Sequence, residues 1–148
     1  MAALSHILRA KRRFAKLVLD AKTTEDDFAL VIACNTRFTG KGMRVAPHAS
    51  MNDGKIDVVA VRRASRWQIF RLLSKIYDGS HVSLPCVAYH QVQSFSIEPA
   101  SRDLLNLDGD LKAGTPVSAN VMRGALRNLR TTNDLHERQA DHTCSAEP

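Results

Sequence analysis

"ASMNDGKIDVVAVRRASRWQIFRLLSKIYDGSH", residues 49–81, puts a turn, a strand and a helix into one short span. Asn52-Asp53-Gly54 is a turn signal, because these residue types tolerate the backbone angles a tight turn needs. The apolar run at 56–61 is rich in β-branched residues and reads as a strand. The period then changes. Ser65 and Gln68 have capping-box spacing, in which each side chain satisfies the other residue's backbone N–H. Ile69, Leu72, Leu73 and Ile76 follow at i, i+3, i+4 and i+7, one face of a helix that closes on Gly79 as its C-cap residue.

Upstream, "FALVIACN" is a short continuous apolar run and predicts a buried strand at 28–34, followed by the glycine-bearing loop "TRFTGKG". A short strand is expected at 43–46, stopped by Pro47. Before these, Leu4, Ile7, Leu8, Phe14, Ala15 and Val18 share a helical face, with Arg9, Arg12, Arg13 and Lys16 on the other side. A basic amphipathic helix and linker over residues 1–27 is the expectation, with "TTEDDF" as a polar break. Residues 1–20, with no acid before Asp20, have the Arg-rich, acid-poor character of a mitochondrial-type presequence; a helix packed on the domain and the remainder of something longer are the other readings.

Downstream, Phe95/Ile97 and Val117/Ala119/Val121 alternate with period two among Pro85, Pro99 and Pro116, the pattern of short strands in a sandwich or open barrel. From Thr131 the chain is polar and holds too little apolar surface to offset its ordering entropy, so 131–148 is expected to be a disordered tail. The fold class that results is α+β but predominantly β: an antiparallel β-sandwich over 28–130 with an N-terminal helix and one internal amphipathic helix.

A length of 148 residues with 44% apolar content suits one core. Twenty-one Lys+Arg against fifteen Asp+Glu leave a net charge of +6, which favours anionic partners. Nucleic acid is the weaker candidate among them, because the aromatic residues fall mainly at expected core positions rather than among the basic ones. Cys34, Cys86 and Cys144 form neither a disulfide framework nor a CxxC metal pattern, which fits a reducing intracellular setting. No apolar run approaches the ~20 residues that span a bilayer.

The six histidines have no zinc-ligand spacing, and no GxSxG, HExxH or P-loop pattern occurs. Arg62, Arg63, Arg66, Arg71 and Lys75 read either as a cationic patch or as a solvated helix face. Two acidic turns remain. "NLDGD" at 106–110 reads as a hairpin tip, since Gly after Asp accepts the positive φ of a type I′ turn, yet it carries a second acid at Asp110. Asp53 in "MNDGK" and Asp108 and Asp110 in "LDGD" are hard oxygen ligands of the kind Mg²⁺ accepts, so that one carboxylate with nearby carbonyls and waters would suffice at either turn.

Four pieces in order, "N…GKGMRVAP", "ASMNDGKIDV", the helix ending "GSH" and "NLDGD", resemble the C-terminal domain of the diacylglycerol kinase, sphingosine kinase and ceramide kinase superfamily, which includes the YegS-like lipid kinases. The resemblance runs over about residues 28–129. It implies a β-rich sandwich that shares a cleft with an N-terminal domain, whose GGDGT-type loop holds ATP for transfer to a lipid hydroxyl. The family's DGE segment falls on Asp108, Gly109 and Asp110, implying nucleotide contact for all three and proton acceptance by Asp110. It likewise implies a structural Mg²⁺ at Asp53 with the main-chain oxygens of Ser50 and Lys55. Position 110 is Asp where the family usually has Glu, one methylene shorter, and a displacement of ~1 Å at a reacting group costs on the order of 100-fold in rate.

No GGDGT-like segment occurs in the 148 residues. The resemblance therefore implies the lipid-side part of a kinase for a sphingoid base, ceramide or diacylglycerol, inactive alone, as a piece of a longer product or as the partner of a nucleotide-binding chain. Its setting would be intracellular, at a membrane surface, with organelle targeting as the lesser reading. The competing reading is a non-catalytic basic sandwich that binds anionic membranes.

Overall fold

The structure, a computed structural model, describes residues 12–102 and 104–125. Eight strands and one α-helix are defined there: β1 (Arg13–Leu19), β2 (Lys22–Cys34), β3 (Ile56–Arg62), α1 (Arg66–Lys75), β4 (Val87–Val92), β5 (Ser94–Pro99), β6 (Leu104–Leu107), β7 (Asp110–Gly114) and β8 (Val117–Asn120). Six strands form one antiparallel sheet in the order β4-β3-β2-β1-β5-β8, and β6 and β7 pair only with each other. The expected class, predominantly β and antiparallel with an internal helix, is what is found.

β2 joins two groups of strands. Its first half pairs with β1, from Leu19↔Lys22 to Arg13↔Phe28, and its second half pairs with β3, from Phe28↔Arg62 to Cys34↔Asp57, with a bulge between Phe28 and Leu30. A bulge bends its strand and increases the local twist, which is how one strand serves both groups. One buried cluster draws on both: Ala15, Leu17 and Leu19 of β1 meet Phe28, Val58, Ala60 and Val92, with Phe95 and Ile97 of β5 against them. On the opposite face of β3, Val59 and Val61 pack under Ile69 and Leu72 of α1 and under Val45, Ala46 and Ala49 of the preceding loop. Buried on both faces, β3 is apolar without a break from Val58 to Val61.

Three expectations change. Residues 13–19 form a strand rather than part of a helix, because Ala15, Leu17 and Leu19 are buried with period two while Phe14 is 52% exposed. The same residues fit both periods, and pairing with β2 and β5 on either side decides for the strand. The segment "TTEDDF" is not a break: β2 runs through it, past the expected boundary at 27/28, with alternating burial. Residues 43–46 form a loop with one isolated bridge, Thr39↔Met43, because Val45 and Ala46 are buried in the cluster under α1. Residues 1–11 of the expected N-terminal helix and the expected tail at 131–148 lie outside the described residues.

Local signals place α1 as expected at its start. Ser65 Oγ accepts from Gln68 N at 3.3 Å, and Gln68 Oε1 accepts from Ser65 N at 2.8 Å. At its end the C-cap is Ile76, three residues before Gly79, and Gly79 instead turns the chain into a short 3-10 helix, Ser80–Ser83, at φ 81°. A Cβ at Gly79 would sit 3.1 Å from Pro47 Cβ, so the loop ahead of β3 presses directly on this corner.

Candidate functional site

The hairpin β6–β7 turns through Asp108 and Gly109, with φ 52° and 103°, both positive as a type I′ turn demands. Asn106 Oδ1 accepts from Gly109 N at 2.8 Å and braces the bend. Leu107 pairs with Asp110, so Asp110 stands at the first position of β7, exposed beside the exposed Asp108. The sequence reading of the tip holds. The hairpin lies outside the six-stranded sheet, and Leu104, Leu107 and Leu111 are 68%, 51% and 66% exposed. A two-stranded hairpin of this kind is marginal in water by itself.

Ser50, Asp53 and Lys55 share a different turn, the one that leads into β3. Asp53 N reaches Ser50 O at 3.5 Å, and Asp53 Oδ1 accepts from Lys55 N at 2.9 Å. One partly exposed carboxylate with main-chain oxygens in the same turn is a donor set that fits Mg²⁺, which retains several waters. No group of three or more His, Cys, Asp or Glu gathers among the described residues, so a hard cation at this turn would need carbonyl oxygens and waters beside the Asp53 carboxylate. The Arg123 side chain lies across this turn: a Cβ at Gly54 would fall 2.1 Å from Arg123 Nε, which explains glycine there together with its φ of 68°.

Beneath that loop is a polar network that sequence reasoning missed. Asp57 is fully buried and its Oδ1 accepts from Tyr89 Oη and, at 3.0 Å, from Gln91 Nε2. Tyr89 Oη accepts from His48 N at 3.3 Å, Gln91 Nε2 also reaches His48 O at 3.2 Å, and the His48 and Tyr89 rings meet edge to face at 5.3 Å. Strands β3 and β4 thereby hold the loop that carries Ser50 and Asp53. Burial, then the Asp57 carboxylate, pushes the Tyr89 hydroxyl above its ordinary range. Burial and the same carboxylate push the neighbouring Cys34 thiol up to about 11. Among the described residues Asp57 Oδ2 has no hydrogen-bond partner. The available signal was an acid set into the apolar strand "KIDVVAV", with Tyr and Gln two apart in "VAYHQV".

His81 of the "GSH" segment is buried, its Nε2–H donating to Val45 O at 3.1 Å. Burial lowers its pKa, so the ring acts as a neutral clamp between the 3-10 helix and the loop at Val45. The expected cationic patch divides in two. Arg63 Nε lies 2.6 Å from Asp26 Oδ1, and the hydrogen bond from Arg63 holds the Asp26 carboxyl below the usual carboxylate range. Arg62 is 3.9 Å from the same carboxylate, Lys75 Nζ donates to Ser80 Oγ at 3.4 Å, and Arg66 and Arg71 stay exposed on α1.

Residues 1–130 match the family described as the YegS C-terminal NAD kinase beta sandwich-like domain. The chain is 30% identical over 133 residues to "Diacylglycerol kinase" of Mycobacterium tuberculosis, covering 88% of this chain and 42% of that protein. It is 34% identical over 109 residues to "Sphingosine kinase 2" of Homo sapiens, covering 71% of this chain and 17% of the relative. Among solved structures, a chain from Bacillus anthracis str. Sterne superposes with a TM-score of 0.69 at 22% identity, over 82% of this chain and 41% of the other. A diacylglycerol kinase structure from the same organism gives 0.63 at 16% identity over 82% and 43%. The structural likenesses bear on fold alone. In each pairing this chain spans less than half the length of the protein it matches.

Proposed function

The chain belongs to the YegS C-terminal, NAD kinase beta sandwich-like family, whose relatives here are named diacylglycerol and sphingosine kinases, and on that footing we propose that it is the lipid-side part of an ATP-dependent lipid kinase. The acceptor is a hydroxyl of diacylglycerol, ceramide or a sphingoid base. A nucleotide-binding domain of the GGDGT type, in a longer product or a partner chain, supplies ATP, and the setting is an intracellular membrane surface.

The observation that carries this reading is the Asp108-Gly109 turn. It sets Asp110 at the exposed end of a hairpin outside the main sheet, accessible to groups bound by another domain. Phosphoryl transfer through a loose transition state asks mainly for positioning and charge neutralisation, plus an acceptor for the hydroxyl proton. Asp110 takes that proton in the proposed mechanism, while Asp108 and the Gly109 backbone contact the nucleotide. Asp53, with the carbonyls of Ser50 and Lys55, holds a structural Mg²⁺ that stiffens the loop already fastened from below by Asp57, Tyr89 and Gln91. The exposed leucines of the hairpin give the nucleotide-binding domain an apolar surface to cover.

The test is a chimera in which this chain replaces the C-terminal domain of the M. tuberculosis diacylglycerol kinase. ATP-dependent phosphorylation of diacylglycerol and sphingosine is then measured. The chimera turns over, Asp110→Asn lowers kcat at least 100-fold with KM for ATP little changed, and Asp110→Glu retains activity. A folded chimera indifferent to Asp110→Asn contradicts the role given to this carboxylate.

A further inference from the structure

Helix α1 buries Ile69 and Leu72 and turns a second apolar pair outward: Trp67 is 73% exposed and Phe70 57% exposed. Their rings stack at 5.6 Å with an interplanar angle of 21°. Residues three and four apart are neighbours on a helix surface, so Arg66 lies beside Phe70 and Arg71 beside Trp67. The solvent face is therefore an aromatic pair bracketed by two arginines. The helix sequence RWQIFRLLSK contains no acid, and among the described residues neither Arg66 nor Arg71 enters an ion pair. Next to the start of the helix, Arg62, Arg63 and Gln68 line an open recess of about 470 Å³ together with Asp26, Pro85 and Cys86.

We infer that this face of α1 docks on an anionic bilayer, with Trp67 and Phe70 entering the headgroup–acyl boundary and Arg66 and Arg71 bonding lipid phosphates on either side. Trp is favoured at that boundary because its ring is apolar and its indole N–H remains near water. Amphipathic helices that lie in the interface combine an apolar wedge with flanking cations in this way. Charge complementarity selects the occupant: a cationic rim without acids on the helix matches lipid phosphates. The Arg62–Arg63 recess at the start of the helix is partly neutralised by Asp26 and is not part of this wedge. The inference rests on the lipid-kinase reading only for why a membrane should be at hand, and its test needs no catalysis.

Trp67 is the chain's sole tryptophan, so its fluorescence reports this face alone. Vesicles of phosphatidylcholine with phosphatidylglycerol are added to the 148-residue chain. Emission shifts to shorter wavelength and is quenched by lipids brominated on the acyl chains; phosphatidylcholine alone and high salt abolish both effects. Phe70→Ala weakens partitioning roughly tenfold, through lost apolar burial. Arg66→Gln and Arg71→Gln each weaken it about fivefold. All three positions are exposed, and unchanged far-ultraviolet circular dichroism confirms that the variants fold.

Sedimentation with vesicles without quenching of Trp67 overturns the inference, since other basic segments then do the binding. A blue shift produced by raising protein concentration, or by adding a nucleotide-binding domain without lipid, overturns it in favour of a protein occupant. Absence of binding overturns it outright. A chimera active without Trp67 quenching removes the docking surface and leaves the kinase reading standing; quenching with an inert chimera does the reverse.

Discussion

When the Asp57 carboxylate is removed, Tyr89 Oη and Gln91 Nε2 lose their common acceptor in a part-buried site. Asp57→Ala is expected to destabilise the chain by about 2–3 kcal/mol, measured as a lower urea midpoint at unchanged m value, and Asp57→Asn by less because its amide oxygen still accepts. Equal stability of wild type and Asp57→Ala sinks the structural role assigned to the network. His81 gives a second prediction. Its folded-state pKa is depressed by burial, so below the ordinary value of 6.5 the unfolded chain takes up the proton more readily. Stability is therefore full above pH 6.5 and falls as pH drops through the depressed folded pKa. His90, lowered in the same direction by burial and by Lys22 and Arg62, adds to this slope. The carboxyls of Asp20, Asp26 and Asp78 are also depressed, but from an ordinary value of 3.8, which puts their loss at lower pH. Urea unfolding at pH 7.5 and about pH 5.5 checks the slope, which His81→Gln reduces; an unchanged slope in that variant means the ring titrates as freely folded as unfolded.

At the level of elements, α1 and the hairpin β6–β7 contrast in what they bury. Leu72 is 3% exposed under α1 and Leu107 is 51% exposed on β6. Leu72→Ala should cost about 2–5 kcal/mol of global stability and Leu107→Ala less than roughly 0.5 kcal/mol. A large loss from Leu107→Ala by chemical denaturation places the hairpin leucines in the core instead of on an open face. The same elements show what the sequence revealed. The start of α1 is legible because the capping box and the apolar spacing are local, and the Asp108-Gly109 tip is legible because two adjacent residues determine a type I′ turn. β1 was not legible: residues 13–19 suit a helix as well as a strand, and of the two deciding partners β2 begins in a segment that reads as a polar break while β5 lies far along the chain. The Asp57 network escaped because its partners are 32 and 34 residues away. The loop at 43–46 reads as a strand until its burial beneath a helix that begins over twenty residues later is known.

Across the molecule, two clusters share the central strands, and among the described residues every strand except the β6–β7 pair belongs to one sheet. The acid proposed for catalysis is on the pair left outside it. The chain spans 42% of its mycobacterial relative, so in the proposed account the nucleotide comes from a separate region that closes on the hairpin. The most direct measurement is ATP-dependent phosphorylation of diacylglycerol, ceramide and sphingosine by the 148-residue chain, alone and with a GGDGT-type nucleotide-binding domain supplied in trans. The account predicts no turnover alone, and turnover that appears with the added domain and disappears in Asp110→Asn. Robust phosphorylation by the chain alone contradicts it.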